Sequence, residues 1–180
     1  MSDIFHRQLI QSDAAAMYEL FKFSIEASWA NLGITPEELD HMGAPYFEAL
    51  IQNLEQMQLG IFIGTFNMEN QLIACAGFTR NERLCSRHTA RVIGVVVSSP
   101  MRGKGYGSSL LKQIIQSCAL SNIEQLTIDT ADTGAGAIKL YQKLNFNLYG
   151  REASAIRYAE ETYDRLLLCR EINASDASIV

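Results

Sequence analysis

Arg102-Gly103-Lys104-Gly105-Tyr106-Gly107-Ser108 sets three alternate glycines between cationic side chains and the start of an apolar-striped segment. Glycine lets a backbone turn tightly and aim its N–H groups at one spot, and a helix N-terminus adds about half a positive charge. The chemistry this suits is anion binding, with phosphate the natural anion. The run lacks the Gly-Lys-Ser/Thr ending of a Walker loop, and its GxGxG spacing is not the GxGxxG of dinucleotide folds. Asp129, 22 residues after Gly107, imitates the ribose-binding acid of those folds and keeps a dinucleotide site as a competing reading.

Other reactive residue types point to less. Cys75, Cys85, Cys118 and Cys169 form no CxxC pair, and His6, His41 and His88 are scattered, so no metal site and no disulfide framework is expected. Cys75 sits in an apolar strand and Cys118 on an apolar helix stripe, where thiols act as small hydrophobes. Twenty acids against fifteen bases give a net charge of -5, opposite to the basic excess of a nucleic-acid binder. The densest basic run, Arg80, Arg83, Arg87, His88 and Arg91, reads as a solvated loop. No apolar run approaches the roughly 18 to 20 residues that span a bilayer, and MSDIFHRQLI lacks a signal peptide's apolar region. A cytoplasmic protein with no membrane partner is expected.

At 180 residues, 48% apolar and 19% charged, the chain suits one α/β domain over residues 1–172, with 173–180 as a flexible tail. A strand is expected near Phe5 to Ile10, then a helix capped by Ser12 and carrying Met17, Leu20, Phe21 and Trp29. Thr35-Pro36-Glu37-Glu38 is a capping box that starts a second helix, interrupted by Gly43 and Pro45. From Gly60 the period becomes extended, with a hairpin turning at Asn67 to Asn70. The β-branched run Ala90 to Val97 reads as a central strand, and Gly94 inside it as a bulge or a site of close approach. A helix to about Ser121, a strand over Gln125 to Thr130, a helix over Gly134 to Leu144 and strands near Phe146 to Gly150 and Arg165 to Arg170 complete a β-α-α-β-β-β-α-β-α-β-β order. That order describes a mixed central sheet flanked by helices.

With these elements placed, Arg102-x-x-Gly105-x-Gly107 resembles the R/Q-x-x-G-x-G/A pyrophosphate loop of the GCN5-related N-acetyltransferases (GNAT family). Ala137-Ile138-Lys139-Leu140-Tyr141-Gln142-Lys143-Leu144-Asn145-Phe146 looks like that family's A-x-x-LY-x-K-x-GF motif. The resemblance runs from about Ile4 to Ile172. It implies the GNAT fold and acetyl-CoA as cosubstrate, in a V between the strands Ala90 to Val97 and Gln125 to Thr130, opened by a bulge at Gly94. It also implies pantetheine pairing with the backbone of Val95 and Val97. The pyrophosphate would rest on the N–H groups of Gly103, Lys104, Gly105, Tyr106, Gly107 and Ser108, helped by the charges of Arg102 and Lys104.

By the same resemblance Tyr141 is the catalytic side chain, donating to the departing CoA sulfur, and the oxyanion donor is a main-chain N–H near Val95 to Val97. Three departures stand out. Gly134 occupies the place where many relatives have an Asn touching the CoA arm, Asn145 replaces a Gly, and Arg91 stands where some relatives carry a glutamate base. Glu82, His88 and Asp129 are alternative bases. Tyr18, Phe21, Trp29, Tyr46, Glu26 and Glu48 are candidates to line the acceptor entrance. A small-molecule amine is the expected acceptor, with no metal and no nucleic acid; an aminoglycoside-like polycation, a protein N-terminus or lysine, a noncatalytic CoA-binding module and a homodimer stay open.

Overall fold

Extended, apolar-rich segments build one mixed sheet of seven strands, described for residues 4–25 and 29–178 in a computed structural model. The strands are β1 (Ile4–Gln8), β2 (Gly60–Asn67), β3 (Leu72–Arg80), β4 (Thr89–Val97), β5 (Gln125–Ala131), β6 (Asn147–Tyr158) and β7 (Glu161–Glu171), in spatial order β1-β2-β3-β4-β5-β7-β6. Every neighbouring pair is antiparallel except β4 and β5. The helices are α1 (Ala14–Ile25), α2 (Trp29–Leu32), α3 (Pro36–Gln56), α4 (Tyr106–Leu120) and α5 (Ala135–Lys143). The expected order holds, with α2 as an added helical turn.

Strand alternation divides the core between the two faces of the sheet. Ile63, Ala74, Ala76, Phe78, Ala90 and Val92 pack with Leu110, Leu111, Ile114 and Cys118 of α4 and with Tyr141. On the other face Phe62, Phe66, Cys75 and Val96 pack with Met17, Leu20 and Phe21 of α1 and Phe47, Ile51 and Leu54 of α3. The α3 start is the expected capping box: Glu38 N–H donates to Thr35 Oγ1 at 3.2 Å, and Thr35 N–H to Glu38 Oε2 at 2.8 Å. Gly43, at φ +56° and ψ −175°, breaks the helical geometry two residues before Pro45.

The feature that positions the site lies in β4. Cys75 pairs with Val96 and Gly77 with Ile93, so Gly94 and Val95 together oppose Ala76 in a bulge, with Gly94 at φ +59°. The bulge reverses the strand's alternation. Before it Ala90 and Val92 belong to the α4 core; after it Val95 and Val97 do, while Ile93 and Val96 pack on the α1/α3 side.

Four local expectations are corrected. Ser12 does not cap α1; it lies in a 3-10 turn, Gln11–Asp13, where the Asp13 carboxylate accepts from Ile10 N–H at 2.9 Å and pairs with Arg7. Trp29 belongs to α2, where its ring meets those of Tyr158 and Tyr163. Strand β6 continues well past Gly150 to Tyr158, because pairing with β7 holds a polar stretch that has no apolar alternation to read. The segment read as a tail is docked through Ser178: Ala174–Ser178 forms a 3-10 turn on α4, with Gln116 Nε2 donating to Ala177 O at 3.1 Å. Asp176 there is buried and accepts from Arg170 and from Asn173 N–H.

Candidate active site

Strands β4 and β5 pair only where Thr89, Ala90 and Arg91 face Gln125, Leu126 and Thr127, and then part. The gap opens toward the bulge and runs into a cavity of about 980 Å³ lined from α1, α2, α3, β4, β5, the glycine turn and α5. That volume sits at the top of the roughly 300–1,000 Å³ range of small-molecule pockets. Ser98 N–H donates to Ile73 O at 2.9 Å, so strand alternation turns the polar backbone groups of Val97 and Val95 away from β3 and into the gap. Arg102 Nε donates to Val97 O at 3.1 Å.

At the far end of the gap the glycine turn leads into α4. Gly105 is its N-cap at φ +89°, and Gly103 stands at φ +76°; a Cβ at either would meet no atom within 4 Å. Both positions need glycine for backbone conformation. Gly107 is closely packed, since a Cβ there would stand 3.1 Å from Leu140 Cδ2, which would have to give way by a few tenths of an ångström. Helical bonding starts with Ser109 N–H, which donates to Gly105 O at 3.0 Å. The N–H groups of Gly107 and Ser108 precede it and stand outside the helix's own ladder. With the helix dipole they can hold an anion.

Helix α5 forms the facing wall. Tyr141 lines the cavity at 5% exposure, its ring 6.1 Å from that of Phe146. Burial, and after it the charge of Asp129, pushes the Tyr141 phenol well above its ordinary pKa. It therefore stays protonated and able to donate. Gly134 caps the start of α5. A Cβ at that position would stand 2.3 Å from Asn31 Oδ1 and 2.8 Å from Thr130 Oγ1. Asn31, from α2, also lines the cavity, so an amide stands beside Gly134 from a different element.

Known proteins share this fold. The model of the acetyltransferase (GNAT) family matches residues 15–146. The chain belongs to the GNAT family. A search among curated proteins finds no match. Among solved structures, a GNAT-family acetyltransferase from Streptococcus pneumoniae superposes with a TM-score of 0.83 at 21% identity, covering 95% of this chain and 100% of the other. A phosphinothricin acetyltransferase of the GNAT superfamily from Sinorhizobium meliloti, in complex with acetyl-CoA, gives 0.79 at 20% identity, covering 96% and 90%. A ribosomal-protein-alanine N-acetyltransferase from Brucella melitensis gives 0.81 at 18% identity, covering 93% and 99%. These likenesses concern the GNAT fold.

In this GNAT cavity the structure brings together Val95, Val97, Arg102, Gly103, Gly105, Tyr106, Gly107, Ser108 and Tyr141. Lys104 is not among the lining residues; its side chain is exposed, with Nζ 3.8 Å from Met101 Sδ. Two of the proposed bases, Glu82 and His88, are exposed on the segment that precedes β4, beyond its paired end, and do not line the cavity. Asp129 does, but it accepts from Arg91 Nε at 3.0 Å and lies 3.6 Å from Arg165 Nε. Arg91 thus serves as its partner. Of the acceptor-side candidates, Phe21 and Tyr46 line the cavity, Tyr18 and Trp29 do not, Glu48 accepts from Gln11, and Glu26 lies outside the described residues. Lys139 and Lys143 were missed, although a spacing of four puts both on one helical face, and both line the cavity.

Proposed function

We propose that the protein transfers the acetyl group of acetyl-CoA to a primary amine of a small molecule, by direct attack in a ternary complex. The observation that carries this reading is the continuity of one cavity from the open edge of β4 to the N-terminus of α4. An extended chain ending in a pyrophosphate needs this pair of sites, strand-edge groups for its amides and helix-start N–H groups for its phosphates.

In the assignment we favour, the backbone groups of Val95 and the N–H of Val97 pair with the pantetheine arm. The N–H groups of the Gly103 to Ser108 turn hold the pyrophosphate, with Arg102, Lys139 and Lys143 adding positive charge at the same end. The amine nitrogen attacks the thioester carbonyl carbon and the carbon–sulfur bond breaks. The nitrogen releases a proton to solvent, and the sulfur leaves as the thiolate, which takes up a proton from solvent to become the CoA thiol. Tyr141, protonated at any working pH, donates a hydrogen bond to the sulfur as charge develops there. Its raised pKa makes complete proton transfer more uphill than the roughly 1.5 units that separate reference tyrosine and thiol, so stabilisation by hydrogen bonding is the role its burial supports.

Calorimetry with acetyl-CoA, CoA, NAD and ATP tests the reading. Acetyl-CoA and CoA are expected to bind and NAD and ATP far more weakly; equal binding by NAD would defeat it. Gly105→Val adds a β-branched side chain at φ +89°. It is expected to weaken acetyl-CoA binding at least tenfold, about 1.4 kcal/mol. Arg102→Ala should weaken binding less, and most visibly at low salt.

A further inference from the structure

We infer that the acceptor is a primary amine carried on an apolar body, an aryl or branched alkyl group, with neither a second cation nor a carboxylate; this rests on the acetyl-transfer reading above. The acceptor end is identified by its elements. The glycine turn meets Leu140 of α5, 3.1 Å from where a Cβ on Gly107 would stand, and away from that contact α1, α3 and β2 line the cavity beside the bulge, with α2 against the start of α5. A Cβ built on Gly94 would stand 3.0 Å from Phe62 Cε1 and 3.2 Å from Phe21 Cζ. An aromatic wall therefore abuts the point where the thioester would lie. Phe47 backs it, its ring 4.9 Å from that of Phe21, and the partly exposed Leu32, Ile34 and Leu50 extend it toward solvent.

The charges argue in the same direction. Among the described lining residues the ionised groups are Arg91, Arg102, Lys139, Lys143 and Asp129. Asp129 is the single carboxylate, and Arg91 and Arg165 already hold it. Among the described residues around the acceptor wall, no carboxylate stands free to meet a diamine's second ammonium. An amino acid's carboxylate fares no better, because α1, α2, α3 and β2 contribute no cation to the lining and Arg91 is committed to Asp129. An unpaired charge against apolar walls is costly, whereas an aryl or alkyl group gains by leaving water. Among the described lining residues Asn31, Tyr46 and Ser24 interrupt the wall with polar atoms. Of these the Ser24 hydroxyl is buried and without a hydrogen-bond partner, and so offers a bound amine a hydrogen bond.

Matched pairs of amines test the inference, with the wild-type protein, saturating acetyl-CoA and thiol release as the readout. 2-Phenylethylamine is compared with L-phenylalanine, which adds only a carboxylate, and pentylamine with 1,5-diaminopentane, which adds only an ammonium. The apolar member of each pair is expected to have a kcat/KM at least tenfold higher. Leu50→Glu, which supplies the missing carboxylate, is expected to narrow the second pair's ratio at least threefold while acetyl-CoA affinity is unchanged. Equal or reversed ratios in the wild type overturn the inference, as does acetyl-CoA binding without acetylation of either apolar amine. Failure to bind acetyl-CoA at all in the calorimeter is a different result, which removes the parent reading itself.

Discussion

The Thr130 hydroxyl donates to Asn31 Oδ1 at 3.0 Å, tying the end of β5 to α2 across the space a side chain at position 134 would occupy. The bond is reached only from residues far apart in sequence, and it makes glycine at 134 a steric requirement. Gly134→Ala is expected to lose about 1–3 kcal/mol of stability by overpacking. Adding Asn31→Ala should return part of that, so the double variant will fall short of the sum of the singles by at least about 0.5 kcal/mol in denaturant titrations. Strict additivity would show that the two positions are independent.

Tyr141→Phe keeps the ring that packs against Phe146 and Leu144 in the α4 core and removes the hydroxyl alone. We expect kcat to fall about ten- to a thousandfold, with acetyl-CoA affinity and Tm nearly unchanged, because a bond to developing thiolate strengthens only as the thioester breaks. Steady-state kinetics with a responsive amine decide this. Wild-type kcat would return Tyr141 to the core.

His6 bridges β1 to α4, with Nε2 2.7 Å from Ser109 Oγ and Nδ1 3.0 Å from Thr65 Oγ1. Burial lowers its pKa below the ordinary 6.5, so the folded state favours the neutral ring. Its contribution to stability is then complete above about pH 6.5 and is lost as pH falls through the lower folded value. Tm should decline on acidification below about pH 6.5, and His6→Gln, which keeps a donor and an acceptor, should flatten that decline. An unchanged slope in the variant would exclude His6 as the titrating group.

Arg170 and Asp176 are a nearly buried pair, their side chains 10% and 6% exposed, and Arg170 Nη1 also donates to Leu144 O at 2.7 Å. Removing Asp176 leaves that guanidinium buried without its counter-charge. Asp176→Ala is expected to cost about 3–5 kcal/mol by chemical denaturation, and truncation after Ile172 at least as much. A truncated chain as stable as the full one would show that the docked turn contributes nothing.

Most of the fold was legible because its core elements carry strong periods: the α4 stripe, the β4 run and the Thr35 capping box all stand where the residues put them. The glycine turn and Tyr141 were legible as motifs of fixed spacing. What was hidden depends on partners distant in sequence. Ser154 and Ala159, both at positive φ, and the polar length of β6 follow from pairing with β7, not from any apolar pattern of their own. Asp176 looked like part of a polar tail because its partner comes from β7. Asn31 could not be linked to Gly134 because the chain between them holds most of the sheet.

The bulge at Gly94 shifts phase within a single strand, so β4 acts as two half-strands joined out of step by one residue. The N-terminal half completes the sheet with β5, and the C-terminal half is released from it. Deleting Gly94 would bring the halves back into step without changing any other residue. Valines that now show their amides to the gap would fall into line for pairing with β5, and the molecule would trade its cleft for an unbroken sheet. The opening of the cleft in this sense coincides with a surplus of one residue in β4 over its partner β3.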